Sequence, residues 1–189
     1  MITKGNKTRK FIIENSINLF AERGYTAVTM KDICERCEMS RGGVYRYYSS
    51  TKEIFIEMLE TDLEINRSVV EENIQKKVPA ERIIDAYFCQ EVQSIFSDNN
   101  GLYFSIHEFA FAEPEQRESL NQRVKDSVNI LKMILEHGQE TKEFKMFDKE
   151  AVATHIIYFM DSLKTSSSIV TMSKDMLTKQ INLLKELII

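Results

Sequence analysis

The chain has 189 residues, 43% of them hydrophobic and 29% charged, an ordinary globular composition that excludes dominant disorder. Only six Gly and two Pro exclude a turn-rich β-sandwich. The net charge of −4 speaks on its face against a nucleic-acid binder, but it is unevenly spread. Residues 1–48 carry nine Lys/Arg against five Asp/Glu, whereas the remaining residues carry 16 against 24. A basic head therefore precedes an acidic body, and two regions with separate tasks are expected. The longest clear apolar run, Ile156 to Met160, is far short of the roughly 18 residues a membrane span needs. The basic N-terminus is followed by no apolar stretch of leader length, so no export signal is read. Three cysteines cannot all pair within one chain, and reduced thiols in a cytoplasmic protein are expected.

Taken in chain order, nearly every segment reads as helix. From Arg9 to Arg23, Ile13, Ile17 and Phe20 recur at helical spacing, with Ile12, Ser16 and Leu19 beside them. Gly24 ends this helix as a C′ residue, onto which Tyr25 packs back. Thr29 is an N-cap with Asp32 as its capping-box partner, opening a helix over about Met30–Cys37. Ser40 caps a third helix, about Arg41–Tyr47. Ser50-Thr51-Lys52-Glu53 is a capping box for a long fourth helix. Pro79 fits the first position of a fifth helix reaching about Phe96. Residues 97–101 form a loop, and a helix from Leu102 to Ala112 follows. Pro114 opens another helix that ends near Gly138. Asp148 caps a helix to about Ile169, and Ser173 caps the last. No strand alternation or internal repeat occurs. The expected fold class is all-α with about nine helices. The division is a helix-turn-helix head at 6–66, with its motif at about 29–48, and a helical body at 67–189.

Two short helices joined by a tight turn make a helix-turn-helix, whose second helix can enter a DNA major groove. Ser40 leaves the start of helix three facing outward, where a phosphate can sit. Arg41 stands in its first turn, within reach of guanine O6 and N7. Gly42 and Gly43 are poor helix formers that make sense where bulk would block base edges. Lys31, Arg46, Tyr47 and Lys52 offer donors to flanking phosphates.

The run Thr29-x-x-Asp32-Ile33, then Met39-Ser40-Arg41-Gly42-Gly43-Val44-Tyr45-Arg46-Tyr47-Tyr48, then Lys52-Glu53, resembles the signature of tetracycline-repressor-type (TetR family) regulators. Leu19-Phe20-Ala21-Glu22-Arg23-Gly24-Tyr25 is similar to that family's helix-one ending. The resemblance covers residues 9 to 60. It implies phosphate contacts at Thr29, Tyr45, Tyr47 and Lys52, base approach at Arg41 and Gly42, and core roles for Ile33, Val44 and Tyr48. Glu38 departs from the pattern, standing where the family often has Gly, and a positive φ there would carry strain. Gly43 and Arg46 occupy variable positions, which leaves the operator sequence open.

Cys34-Glu-Arg-Cys37 is a C-x-x-C without the second pair that a zinc site uses, so the cysteines read as core and no metal or cofactor is expected. H-E-x-x-H, P-loop, G-x-G-x-x-G and G-x-S-x-G motifs are missing, so an enzyme is not expected. A helical-bundle enzyme and a partner-binding helical protein without DNA binding remain the alternatives.

In the body, Tyr87, Phe88, Phe96, Tyr103, Phe104, Phe109 and Phe111 concentrate on neighbouring helices, with Glu91, His107 and Glu108 among them. Effector pockets are apolar and aromatic with a few polar groups. An effector pocket is expected from Tyr87, Phe88, Glu91, Phe96, Tyr103, Phe104, His107, Glu108 and Phe111, for a lipophilic or aromatic small molecule. A Glu there would suit a cationic one. Val152, Ile156, Phe159 and Leu163 form one apolar stripe, and Leu177, Ile181, Leu184 and Ile188 another. Two such helices from each of two chains make a four-helix bundle, the family's dimer interface. The resemblance thus implies a homodimeric, effector-released repressor of a pseudo-palindromic operator.

Overall fold

The computed structural model describes residues 4–189. Residues 1–3, on which the reading of no export signal partly rests, lie outside the described residues. Among the described residues the structure is all-helical, with α1 (Lys4–Arg23), α2 (Met30–Arg36), α3 (Arg41–Tyr45), α4 (Thr51–Gln75), α5 (Ala80–Ile95), α6 (Gly101–Ala112), α7 (Arg117–Glu140), α8 (Lys149–Ser167) and α9 (Lys174–Ile188).

Local chemistry sets most boundaries. Gly24 closes α1 at φ 80°, a left-handed conformation that Gly adopts without a Cβ penalty, and its N–H bonds Phe20 O. Thr29 and Asp32 form the expected reciprocal capping box on α2. Ser40 Oγ accepts the Gly43 N–H at 3.1 Å to start α3. At α4 the box is split: Ser50 Oγ accepts the Glu53 N–H at 3.3 Å, but the Glu53 carboxylate reaches past it to the Ser49 N–H at 2.7 Å and the Ser49 hydroxyl at 2.6 Å. Pro79 is the N-cap of α5 rather than its first residue. Pro114 opens a single 3₁₀ turn, Pro114–Gln116, and α7 begins only after it. Asp148 and Ser173 cap α8 and α9 as expected.

The chain forms two compact units that are not contiguous in sequence. The first comprises residues 1–62 and 98–114, and the second residues 63–97 and 115–189. Helix α6, which the sequence reading assigns to the body, is thus part of the head unit. The head core is aromatic. Phe55 meets Phe20 edge-on at 4.9 Å between centroids, and Phe109 of α6 lies 4.8 Å from both Tyr25 and Phe55. The Tyr48 ring is buried, with the Arg9 guanidinium 4.5 Å above it.

The second unit packs the C-terminal half of α4 with α5, α7, α8 and α9. Its core includes Ile84 and Phe88 of α5, Leu131, Ile134 and Leu135 of α7, Ile156 and Met160 of α8, and Leu177 and Leu184 of α9. Gly138 lets Phe144 seat against α7, since a Cβ there would lie 2.0 Å from the ring. No helix among the described residues is long and apolar enough to cross a membrane.

Candidate nucleic-acid interface

Helix α3 is only five residues long, and the buried Val44 anchors it. Ile33, Val44 and Tyr48 are all buried, which leaves the intervening positions outward. Thr29, Lys31, Ser40, Arg41, Gly42, Tyr45 and Arg46 are exposed, and Gly43 and Tyr47 are half-buried. The Arg41 guanidinium lies 6.0 Å from the Tyr45 ring centroid, a loose cation–π contact on the outer face. A Cβ at Gly42 would meet nothing within 4 Å. That position is smooth toward solvent, not crowded from within.

The turn before α3 carries the strain expected from sequence, because Glu38 sits at φ 52°. The α2 cap is firmly charged. Asp32 accepts the Thr29 N–H at 2.8 Å and the Arg23 guanidinium at 2.8 Å, and its carboxyl is held below the usual range, chiefly by the Thr29 hydroxyl. Thr29 therefore already gives its hydroxyl proton to Asp32. Cys34 and Cys37 are buried free thiols, and burial pushes the Cys37 thiol up, away from thiolate reactivity.

Beneath this surface Arg9 ties α1 to α4. It donates Nε to Glu57 Oε1 at 3.1 Å and Nη2 to Glu57 Oε2, and it donates Nη1 to the Tyr47 carbonyl at 3.2 Å. The guanidinium holds the Glu57 carboxyl below its ordinary value. Burial pushes the Tyr48 phenol well up.

Lys52 departs from expectation. Its ammonium is not simply presented outward but is ion-paired to Glu113 Oε2 at 3.0 Å. Glu113 Oε1 accepts the Tyr25 hydroxyl at 2.8 Å. Glu108, one turn earlier, accepts the Tyr25 N–H at 2.7 Å and the Thr26 hydroxyl at 3.2 Å. Sequence reasoning missed Glu113 altogether. Its partners lie far away in sequence, and periodicity carries no sign of them.

The residues of the expected effector set divide between the two units. Tyr87, Phe88, Glu91 and Phe96 belong to the second unit, whereas Tyr103, Phe104, His107, Glu108 and Phe111 lie on α6 in the first. Phe88 is core, and Phe111 is 83% exposed. The charge of one Glu is already paired, and the oxygens of the other already accept hydrogen bonds. Glu91 is ion-paired to Lys164 at 2.5 Å, with side chains only 15% and 14% exposed, and Glu108 is committed to the Tyr25 turn.

The stripes expected at the dimer interface turn toward the core of their own chain. Ile156, Leu177, Ile181, Leu184 and Ile188 are buried within their own chain, and Val152, Phe159 and Leu163 are partly buried against the same core. The outward apolar side chains are instead Tyr158 on α8 and Leu183 and Leu187 on α9, each more than half exposed.

A short capped helix, exposed from Arg41 to Gly42 and from Tyr45 to Arg46 within the net-basic first 48 residues, defines a helix-turn-helix DNA-binding protein. A family model described as bacterial regulatory proteins, tetR family, matches residues 12–58, and one described as Tetracyclin repressor-like, C-terminal domain, matches residues 75–189. The chain belongs to the TetR family of DNA-binding transcriptional regulators. It is 26% identical over 151 residues to the uncharacterized HTH-type transcriptional regulator YfiR of Bacillus subtilis, covering 76% of this chain and 72% of that one. It is 25% identical over 160 residues to IcaR of Staphylococcus aureus, the negative transcriptional regulator of the biofilm operon icaADBC, covering 83% of each. In fold it is similar to the Bacillus subtilis transcriptional regulator FadR, solved in complex with stearoyl-CoA. That match has a TM-score of 0.70 and 21% identity, and covers 95% of this chain and 97% of that one.

Proposed function

We propose that this regulator is a homodimeric repressor that occupies a pseudo-palindromic operator in the cytoplasm and leaves it when a small molecule binds. It has no catalytic role in this reading. The exposed, Cβ-free surface at Gly42, flanked by Arg41 and Arg46, carries it. A side chain there would stand between helix and base edges, and Arg41 is the residue to read a guanine. A two-fold dimer presents two such helices, spaced about one DNA turn of 34–36 Å or a multiple. IcaR, similar over most of its length, is named as a negative regulator.

DNA contacts are assigned to residues 6–66, and effector binding and dimerisation to residues 67–189, with α6 serving the head. Dimerisation uses the outward faces of α8 and α9 at Tyr158, Leu183 and Leu187. The effector is lipophilic or aromatic, as suits the aromatic side chains Tyr87 and Phe96 and the stearoyl-CoA held by FadR. An effector acts by preferring a conformation in which the heads no longer match the operator. Helix α4, whose residues belong to both units, is the natural lever.

The test is selection of bound fragments from genomic DNA by the full-length protein, followed by footprinting. A protected dyad, released by a lipophilic acyl thioester or aromatic compound that also raises the thermal midpoint, supports the proposal. Protection without dyad symmetry, or no release by any such ligand, overturns it.

A further inference from the structure

The geometry around Lys52 points to an internal brake on DNA binding, and we propose that Glu113 competes with a DNA phosphate for the Lys52 ammonium. The inference rests on the reading of Lys52 as a phosphate contact. Lys52 stands in the first turn of α4, shortly after the exposed helix α3. Its Nζ is 3.0 Å from Glu113 Oε2, with the two side chains only 32% and 24% exposed. The Glu113 carboxylate is not a loose surface group. Its other oxygen accepts the Tyr25 hydroxyl at 2.8 Å, and its own N–H closes α6 onto Phe109 O at 2.9 Å.

Phosphate affinity comes from a cation that displaces condensed counterions. A lysine already neutralised by a carboxylate displaces none until that pair opens, and the carboxylate adds repulsion toward an incoming phosphate. Glu113 thus does for Lys52 what the phosphate would do. The brake is set by α6, because the same helix is fastened to α1 at two further points. Ser105 donates its hydroxyl to Phe20 O at 2.6 Å, and Gly101 approaches so closely that a Cβ would lie 2.2 Å from Ala21 O. A shift of α6 along α1 therefore changes how much of the Lys52 charge is available to DNA.

The experiment is a double-mutant cycle on full-length protein with mixed-sequence duplex DNA, titrated over a range of salt. Glu113→Gln keeps an acceptor for Tyr25 but removes the charge. It is expected to raise affinity about three- to tenfold and to steepen the salt dependence by about one phosphate contact, a slope of roughly 0.9. Lys52→Ala is expected to cost more in the Glu113→Gln background than alone, and to abolish the gain. A gain that persists without Lys52, an unchanged slope, or weaker binding by Glu113→Gln overturns the brake. Lys52→Ala without effect in either background instead overturns the phosphate contact itself. Should Glu113→Gln fail to fold, Glu113→Asp retracts the carboxylate by one methylene and is expected to give a smaller gain of the same sign. Its absence overturns the proposal.

Discussion

The Glu108 carboxylate accepts the backbone N–H of Tyr25 at 2.7 Å, so a helix after residue 100 completes a turn that begins at Gly24. It also accepts the Thr26 hydroxyl at 3.2 Å. Glu108→Ala leaves both donors to find water in a half-buried site and is expected to cost about 1–3 kcal/mol. Glu108→Gln retains one acceptor and is expected to cost less. Urea denaturation of the two variants checks the order. Equal losses would mean that the carboxylate matters only through its bulk.

Two glycines separate fold from function. Gly42 has open space where a Cβ would stand, so Gly42→Ala is expected to hold or raise stability by up to about 1 kcal/mol. The same methyl stands on the surface proposed to face the bases and is expected to weaken operator binding about tenfold, or 1.4 kcal/mol. Gly101→Ala forces a Cβ within 2.2 Å of the Ala21 carbonyl and is expected to destabilise by about 1–3 kcal/mol. Urea curves and gel-shift titrations of both variants read the contrast.

The Arg9–Glu57 fork predicts an acid limb. Glu57 is held below the ordinary glutamate value of 4.5, first by the Arg9 hydrogen bonds. Its folded value is depressed, so its contribution is present above 4.5 and is lost as pH falls through the lowered value. Arg9 stays charged throughout. The Arg9 side chain is 41% exposed, so the contribution is discounted for solvent to about 1 kcal/mol. Glu57→Gln is expected to flatten the stability profile below about pH 5 without removing the whole limb, since Asp32 and Glu53 are depressed as well. Denaturation midpoints from pH 3 to 7 give the comparison.

Leu183 and Leu187 are 55% and 54% exposed, whereas Leu184 is 4% exposed. Replacing both outward leucines by Glu is expected to yield a folded monomer in sedimentation. Leu184→Ala is expected to lower stability by about 2–5 kcal/mol. A dimer that survives both Glu substitutions would place the interface elsewhere.

What the sequence disclosed was local chemistry. The Thr29–Asp32 box, the Asp148 and Ser173 caps, the Gly24 stop and the positive φ at Glu38 each follow from a few neighbouring residues. The exposed face of α3 follows from its short spacing around Val44. Partner choice was not legible. The aromatic run on α6 has the same spacing whether it lines a pocket or, as with Phe109, closes on Tyr25 and Phe55. The stripe from Leu177 to Ile188 likewise has one period for its own core or a partner's, and only burial assigns it inward. Lys52 and Glu113 sit far apart along the chain, and neither residue type announces the other.

The insertion of residues 98–114 into the head unit bears on how such a protein can be recombined. The polypeptide passes between the units three times, after residues 62, 97 and 114. A cassette cut after α4 would carry α3 but strip Phe109 from the rings of Tyr25 and Phe55, and would leave the Tyr25 N–H and hydroxyl without Glu108 and Glu113. If the outward side chains of α2 and α3 read the operator as proposed, grafting that specificity onto another regulator means transplanting those side chains alone, or moving the segment around α6 with them.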